Sequence, residues 1–112
     1  MAHKPVRVFA LSTCHLCKVI RKMLEKYSVS AEYLELDHME EDERDAALAE
    51  MKARAGDRPV FPTLFIGEAV VEGARRDKIL DALENQGIMK LSFLERLMAI
   101  VAGDRRPGRF FP

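Results

Sequence analysis

Cys14-His15-Leu16-Cys17 sets two thiols three residues apart in a chain that has no other cysteine. Thiols at that spacing can exchange a disulfide: one attacks as a thiolate and the other resolves the mixed disulfide. The flanking residues assign the roles. Val6-Arg7-Val8-Phe9-Ala10-Leu11 is short, largely apolar and β-branched, which reads as a buried strand. Leu16, Val19, Ile20, Met23, Leu24 and Tyr27 recur at the spacing of one helical face. The pair therefore falls where a strand turns into the first turn of a helix. Unpaired N–H groups and the positive end of the helix dipole favour an anion there, and a thiolate is one. Cys14, at the exposed lip, is the expected nucleophile; Cys17, one turn in, is the expected resolving thiol. The helix end, His15 and Lys18 are expected to draw the Cys14 pKa below the free value of about 8.5.

Other chemistry for this pair is less well supplied. A closed zinc site needs four ligands, and beyond the two cysteines only His15 and the distant His3 and His38 could contribute. Haem attachment requires histidine directly after the second cysteine, where Lys18 stands. No metal is expected. The chain has 112 residues, enough for one domain, and equal numbers of basic and acidic side chains, 18 each. That balance argues against general nucleic-acid or membrane-surface binding. Residues 1–30 carry six basic side chains against Glu25, and residues 32–45 carry eight acidic ones against Arg44. Both stretches read as solvated faces. No apolar run approaches the roughly 18 residues of a membrane span, and no signal peptide is recognisable. With only two cysteines, three apart, the expected compartment is the reducing cytoplasm.

The rest of the chain reads as scaffold. Ala31-Glu32-Tyr33-Leu34-Glu35-Leu36 alternates as a second strand. The acidic stretch from Asp37 to Asp45, with His38 in it, suits the solvated first turn of a helix running through Leu48, Met51 and Ala55 to Gly56. A loop with two prolines follows, Asp57 to Pro62. Thr63-Leu64-Phe65-Ile66, the turn Gly67-Glu68 and Ala69-Val70-Val71-Glu72 form a hairpin that Gly73 ends. A last helix carries Ile79, Leu80 and Leu83 to about Asn85, with Gly87 as its stop. The order β-α-β-α-β-β-α gives an α/β fold: a parallel first pair with a right-handed crossover, then an antiparallel hairpin.

That order, with Cys14-His15-Leu16-Cys17 after the first strand and Phe61-Pro62-Thr63-Leu64-Phe65-Ile66 opening the third, resembles the glutaredoxin family of the thioredoxin fold. The resemblance covers residues 5 to about 86. It implies a central four-stranded mixed sheet flanked by helices, and a protein disulfide oxidoreductase with Cys14 and Cys17 as catalytic residues. It also implies a cis bond at Phe61-Pro62, leaving a backbone edge to pair with an extended substrate. His15, Leu16, Phe61, Pro62, Thr63 and Gly73 are the substrate-binding positions so implied. Ser-Thr-Cys-x-x-Cys and Phe-Pro-Thr look closest to the glutaredoxin-like proteins of anaerobic bacteria and archaea.

The pattern departs from the family at positions that handle glutathione. The lysine usual three residues before the first cysteine is Leu11, and the acidic residues usual after the glycine are replaced by Ala74-Arg75-Arg76. The loop Arg58-Pro59-Val60-Phe61-Pro62 is longer and more apolar than usual. No bound cofactor is expected, with glutathione possible as a co-substrate. The alternatives are a glutathione-dependent glutaredoxin and a module holding an iron–sulfur cluster between two copies or docking a partner. Residues 1–87 form the expected glutaredoxin-like domain, and residues 88–112 a helical extension with a basic tail. Leu91, Leu94, Leu97, Met98 and Val101 make an apolar stripe expected to dock on this domain or on a second copy. Partners are thus protein disulfides and a reductase or glutathione, without nucleic acid or membrane, for a monomer or weak homodimer.

Overall fold

A computed structural model of the protein describes residues 5–89. The first strand is buried along its whole length, which explains why it shows no polar alternation. β1 (Val6–Ala10) lies inside a four-stranded sheet of order β2-β1-β3-β4, with β2 (Glu32–Glu35), β3 (Thr63–Ile66) and β4 (Ala69–Glu72). β2 runs parallel to β1, β3 antiparallel to β1, and β4 antiparallel to β3. The parallel pair needs a crossover, and α1 (His15–Lys26) supplies it. α2 (Glu41–Arg54) and α3 (Arg76–Asn85) complete the order, which is the thioredoxin-like fold.

Two cores divide at the sheet because successive side chains of a strand face opposite sides. Val6, Val8 and Ala10 pack with Cys17, Ile20 and Leu24 of α1 and with Ile79, Leu80 and Leu83 of α3. Phe9 and Phe65 face the other way, onto Leu36 and onto Ala47 and Met51 of α2. Arg7 shares that second face and is buried, its guanidinium gripping Glu50 through two nitrogens, with Nη2–Oε1 at 2.9 Å, and lying 3.5 Å from Glu32. Glu50→Ala should cost about 1–3 kcal/mol, since it strips hydrogen bonds from a buried cation. Urea unfolding of the two proteins measures this; an unchanged midpoint would show the pair to be dispensable.

One sequence expectation is corrected here. The acidic stretch is not a single helix start. Leu36–His38 forms a one-turn 3-10 helix, Met39 is extended, and α2 begins only at Glu41. The break is set by a capping box: the Glu40 side chain accepts from the backbone of Glu43, and the Glu43 side chain from that of Glu40. Asp37 is thereby freed for another role. At the far end of the domain, α3 closes with Ile88 and Met89 N–H groups returning to the Leu83 carbonyl, and both side chains pack on the α1–α3 core. The apolar stripe from Leu91 to Val101 lies outside the described residues. No helix among the described residues is long and apolar enough to cross a membrane.

Candidate active site

The pairings bring four chain segments to one end of the sheet. Phe9 pairs with Thr63, and Thr63 with Glu72. The segments after β1 and β4 and the segment before β3 therefore leave the sheet together. β2 ends beside them because Ala10 pairs in parallel with Glu35. Cys14, Asp37, Pro62 and Gly73 belong to these segments.

Cys14 is the N-cap of α1, with extended backbone, and its Sγ accepts the Cys17 N–H at 3.1 Å. A sulfur here takes the place usually held by a serine or aspartate oxygen. The same N–H, and the helix end behind it, stabilise negative charge on that sulfur. Cys14 is half-buried and Cys17 is buried, and both thiols are free. Burial first, and then the hydrogen bond with the Cys14 side chain, pushes the Cys17 thiol up to about 12. The two sulfurs thus sit in opposed environments: one at the lip beside donors, the other withdrawn from water.

His15 and Leu16 occupy the first turn of α1 and are exposed, Leu16 by 52 %. Phe61 is half-buried and packs against both cores. The Phe61-Pro62 bond is cis. Pro62 is buried, and its carbonyl accepts the Gly73 N–H at 2.7 Å, which ties the end of the hairpin to the start of β3. Gly73 has φ +89, a left-handed conformation that side chains strain. Thr63 is fully buried, and its hydroxyl donates to the Val60 carbonyl at 2.6 Å. Its side chain is therefore spent on shaping the proline loop. That bond holds the loop so that Val60, 37 % exposed, stands outward.

Sequence reasoning missed two residues beside the cysteines. Asp37 accepts the Ser12 N–H at 2.9 Å and also the Ser12 hydroxyl. These bonds hold the Asp37 carboxyl below its usual range, the hydroxyl contributing most. The signal was present in the register. β1 and β2 pair with a constant offset, Arg7 with Glu32 through Ala10 with Glu35. Extending that offset past the strand ends places Ser12 opposite Asp37.

Comparison with known proteins agrees with this architecture. The glutaredoxin family model matches residues 6–71. Monothiol glutaredoxin-S1 of Arabidopsis thaliana is 32% identical over 74 residues, spanning 65% of this chain and 69% of that one. Among solved structures, the glutaredoxin of Methanosarcina mazei Go1 is 30% identical, with 76% of this chain and 79% of that chain covered and a TM-score of 0.65. The methanoredoxin of Methanosarcina acetivorans is 29% identical, covering 70% of this chain and 82% of that chain with a TM-score of 0.62. The sheet, the two thiols at the entrance of α1 and the match over most of the domain lead to one assignment: this chain belongs to the glutaredoxin family, whose chemistry is thiol–disulfide exchange.

Proposed function

We propose that the protein is a dithiol oxidoreductase that reduces protein disulfides, with Cys14 as nucleophile and Cys17 as resolving thiol. The observation that carries this reading is the pairing of a Cys14 sulfur held by the Cys17 N–H with a buried Cys17 thiol pushed up to about 12. In the first step the Cys14 thiolate attacks one sulfur of the substrate disulfide. A Cys14–substrate disulfide forms, and the other substrate sulfur leaves as a thiolate that takes a proton from water. In the second step Cys17 loses its proton and attacks the Cys14 sulfur, releasing the second substrate thiol. The protein is left with a Cys14–Cys17 disulfide, two electrons having passed to the substrate.

Part of what keeps Cys17 protonated is the free Cys14 sulfur itself, through their hydrogen bond and its charge. Both influences end once Cys14 is bound into the mixed disulfide. Cys17 then ionises more readily at the stage where its attack is needed, while burial keeps it a thiol beforehand.

Leu16, in the first turn of α1 beside Cys14, and Val60, in the loop before Pro62, are the exposed large apolar side chains among the described residues. Apolar contacts of this kind suit a protein surface beside a disulfide. The backbone at Phe61 offers an edge to an extended substrate segment. The Cys14–Cys17 disulfide is reduced again by an external dithiol or a reductase, in a reducing compartment such as the cytoplasm.

Limiting alkylation tests the assignment. A thiol at about 12 is ionised to only on the order of one part in ten thousand at pH 8, so reagent should label Cys14 first. Peptide mapping reads the order, and Cys17 should be labelled only after Cys14. Equal labelling of the two at neutral pH would overturn the roles. Visible absorbance in protein prepared without oxygen would instead favour a cluster-holding module.

A further inference from the structure

The turn that delivers Cys14 touches both sulfurs. Its closing bond runs from the Cys14 N–H to the Leu11 carbonyl at 3.1 Å. A backbone hydrogen bond from Leu11 also acts on the Cys17 thiol, opposing the upward push of burial. Between these contacts sits Ser12, which gives both its N–H and its hydroxyl to the carboxylate of Asp37. One donor would fix only a distance. Two donors of one residue on the two oxygens of one carboxylate also fix orientation. Asp37 is itself held in the 3-10 turn that follows β2, where His38 Nε2 lies 3.9 Å from its Oδ2 and His38 Nδ1 lies 3.2 Å from Glu35.

We propose that Asp37 is a positioning residue for thiol exchange, gripping Ser12 so that the Leu11–Cys14 turn presents the Cys14 sulfur to the Cys17 N–H. The inference rests on Cys14 being the nucleophile. The grip also keeps the two Ser12 donors engaged away from the sulfurs, leaving the helix end to stabilise the thiolate. Without Asp37 the turn keeps its Cys14–Leu11 closing bond but loses the two bonds that fix Ser12 within it. The Cys17 N–H bond to sulfur then loosens, the reduced form loses stabilisation, and the disulfide form is favoured.

The test compares four variants with the wild-type protein: Asp37→Ala, Ser12→Ala, the double variant and Ser12→Thr. Each is measured for exchange with a small aromatic disulfide from pH 5 to 10, and for its dithiol–disulfide equilibrium in a thiol redox buffer. Asp37→Ala should slow exchange by about threefold to tenfold at pH 7, the scale of one hydrogen bond. The equilibrium should move several-fold toward the Cys14–Cys17 disulfide. Ser12→Ala, which keeps the backbone N–H bond to Asp37, should lose less than Asp37→Ala, the double variant should be no worse than Asp37→Ala alone, and Ser12→Thr, which keeps both donors, should stay near the wild-type rate. Glu50→Gln, on α2 and paired with Arg7 rather than with the Ser12 turn, is the control: it should lower stability and leave the pH profile and equilibrium where they are. The proposal is overturned if Asp37→Ala lowers stability alone, with rate, pH profile and equilibrium within twofold of wild type. Additive effects of Ser12→Ala and Asp37→Ala would overturn it as well. If wild-type exchange survives Cys14→Ser, the underlying assignment of the nucleophile has failed instead, and this inference falls with it.

Discussion

Cys14→Ser should abolish disulfide reduction, by a thousandfold or more on an order-of-magnitude basis, because an alcohol at this helix entrance is not ionised at neutral pH. Cys17→Ser should behave differently. The bond that holds the Cys14 sulfur comes from the backbone N–H of residue 17, not from its side chain. That donor survives the substitution, so the first attack should proceed at near its normal rate. The second step has no thiol to carry it, and the mixed disulfide should accumulate. Cys17→Ala gives the same arrest without placing a hydroxyl in a site only 4 % exposed. Intact-mass measurement of the variant mixed with an oxidised protein substrate would show one covalent adduct per chain, removable by dithiol. Substantial turnover by Cys17→Ser would mean that a thiol from solution resolves the adduct, and the dithiol reading would give way to a one-cysteine mechanism. Loss of even the first step in both Cys17 variants would show that the Cys17 thiol takes part in the initial attack.

The chain announces its sheet because its strands are bounded by residues with single meanings. Gly67-Glu68 joins two apolar runs as a two-residue turn, and Pro62 and Gly73 mark the hairpin's outer limits, so Thr63–Ile66 and Ala69–Glu72 emerge with their sequence-based bounds. The strand-to-helix junction at Cys14 is equally direct, since an apolar run gives way to a helical stripe within a few residues. The acidic stretch is harder because composition alone cannot divide it. Asp37 and Glu41 look alike in sequence, yet one anchors the Ser12 turn and the other opens α2. What separates them is Met39, which is extended, and the pairing of Glu40 with Glu43. Thr63 shows the opposite difficulty. Its place beside Pro62 suggests contact with substrate, and sequence position says nothing of the bond its buried hydroxyl gives to Val60. Position next to a site was legible; the direction in which each side chain spends its hydrogen bonds was not.

The reductant should be a dithiol rather than glutathione. A glutathionyl group carries two carboxylates and an ammonium, and a site for it must offer fixed charges of opposite sign. Leu11, where a lysine would be of use, is a partly buried apolar side chain packed toward the α2 core. Gly73 is tied to the Pro62 carbonyl, so the residues that follow it lie close to the proline loop. Those residues are Ala74, packed on the core, then Arg75 as the N-cap of α3 and Arg76 at its first position. Two cations stand where an ammonium would need carboxylates. Arg58 and Lys18 could still pair with a glutathione carboxylate, so binding should be weakened rather than removed. The loss of roughly two charge-assisted contacts, worth about 1.5–3 kcal/mol each, should lower affinity by about one hundredfold or more. Turnover with glutathione and its reductase should therefore be slow and nearly linear in glutathione through the low millimolar range. A dithiol donor or a thioredoxin-reductase-type system should regenerate the protein faster at equal reducing equivalents. Introducing the missing charges together, with Leu11→Lys, Arg75→Asp and Arg76→Asp, should raise the glutathione-dependent rate and bring saturation into view. Efficient, saturable use of glutathione by the unaltered protein would reverse the assignment, because it would show that Arg58 and Lys18 suffice and that the arginines after Gly73 do not repel the ammonium.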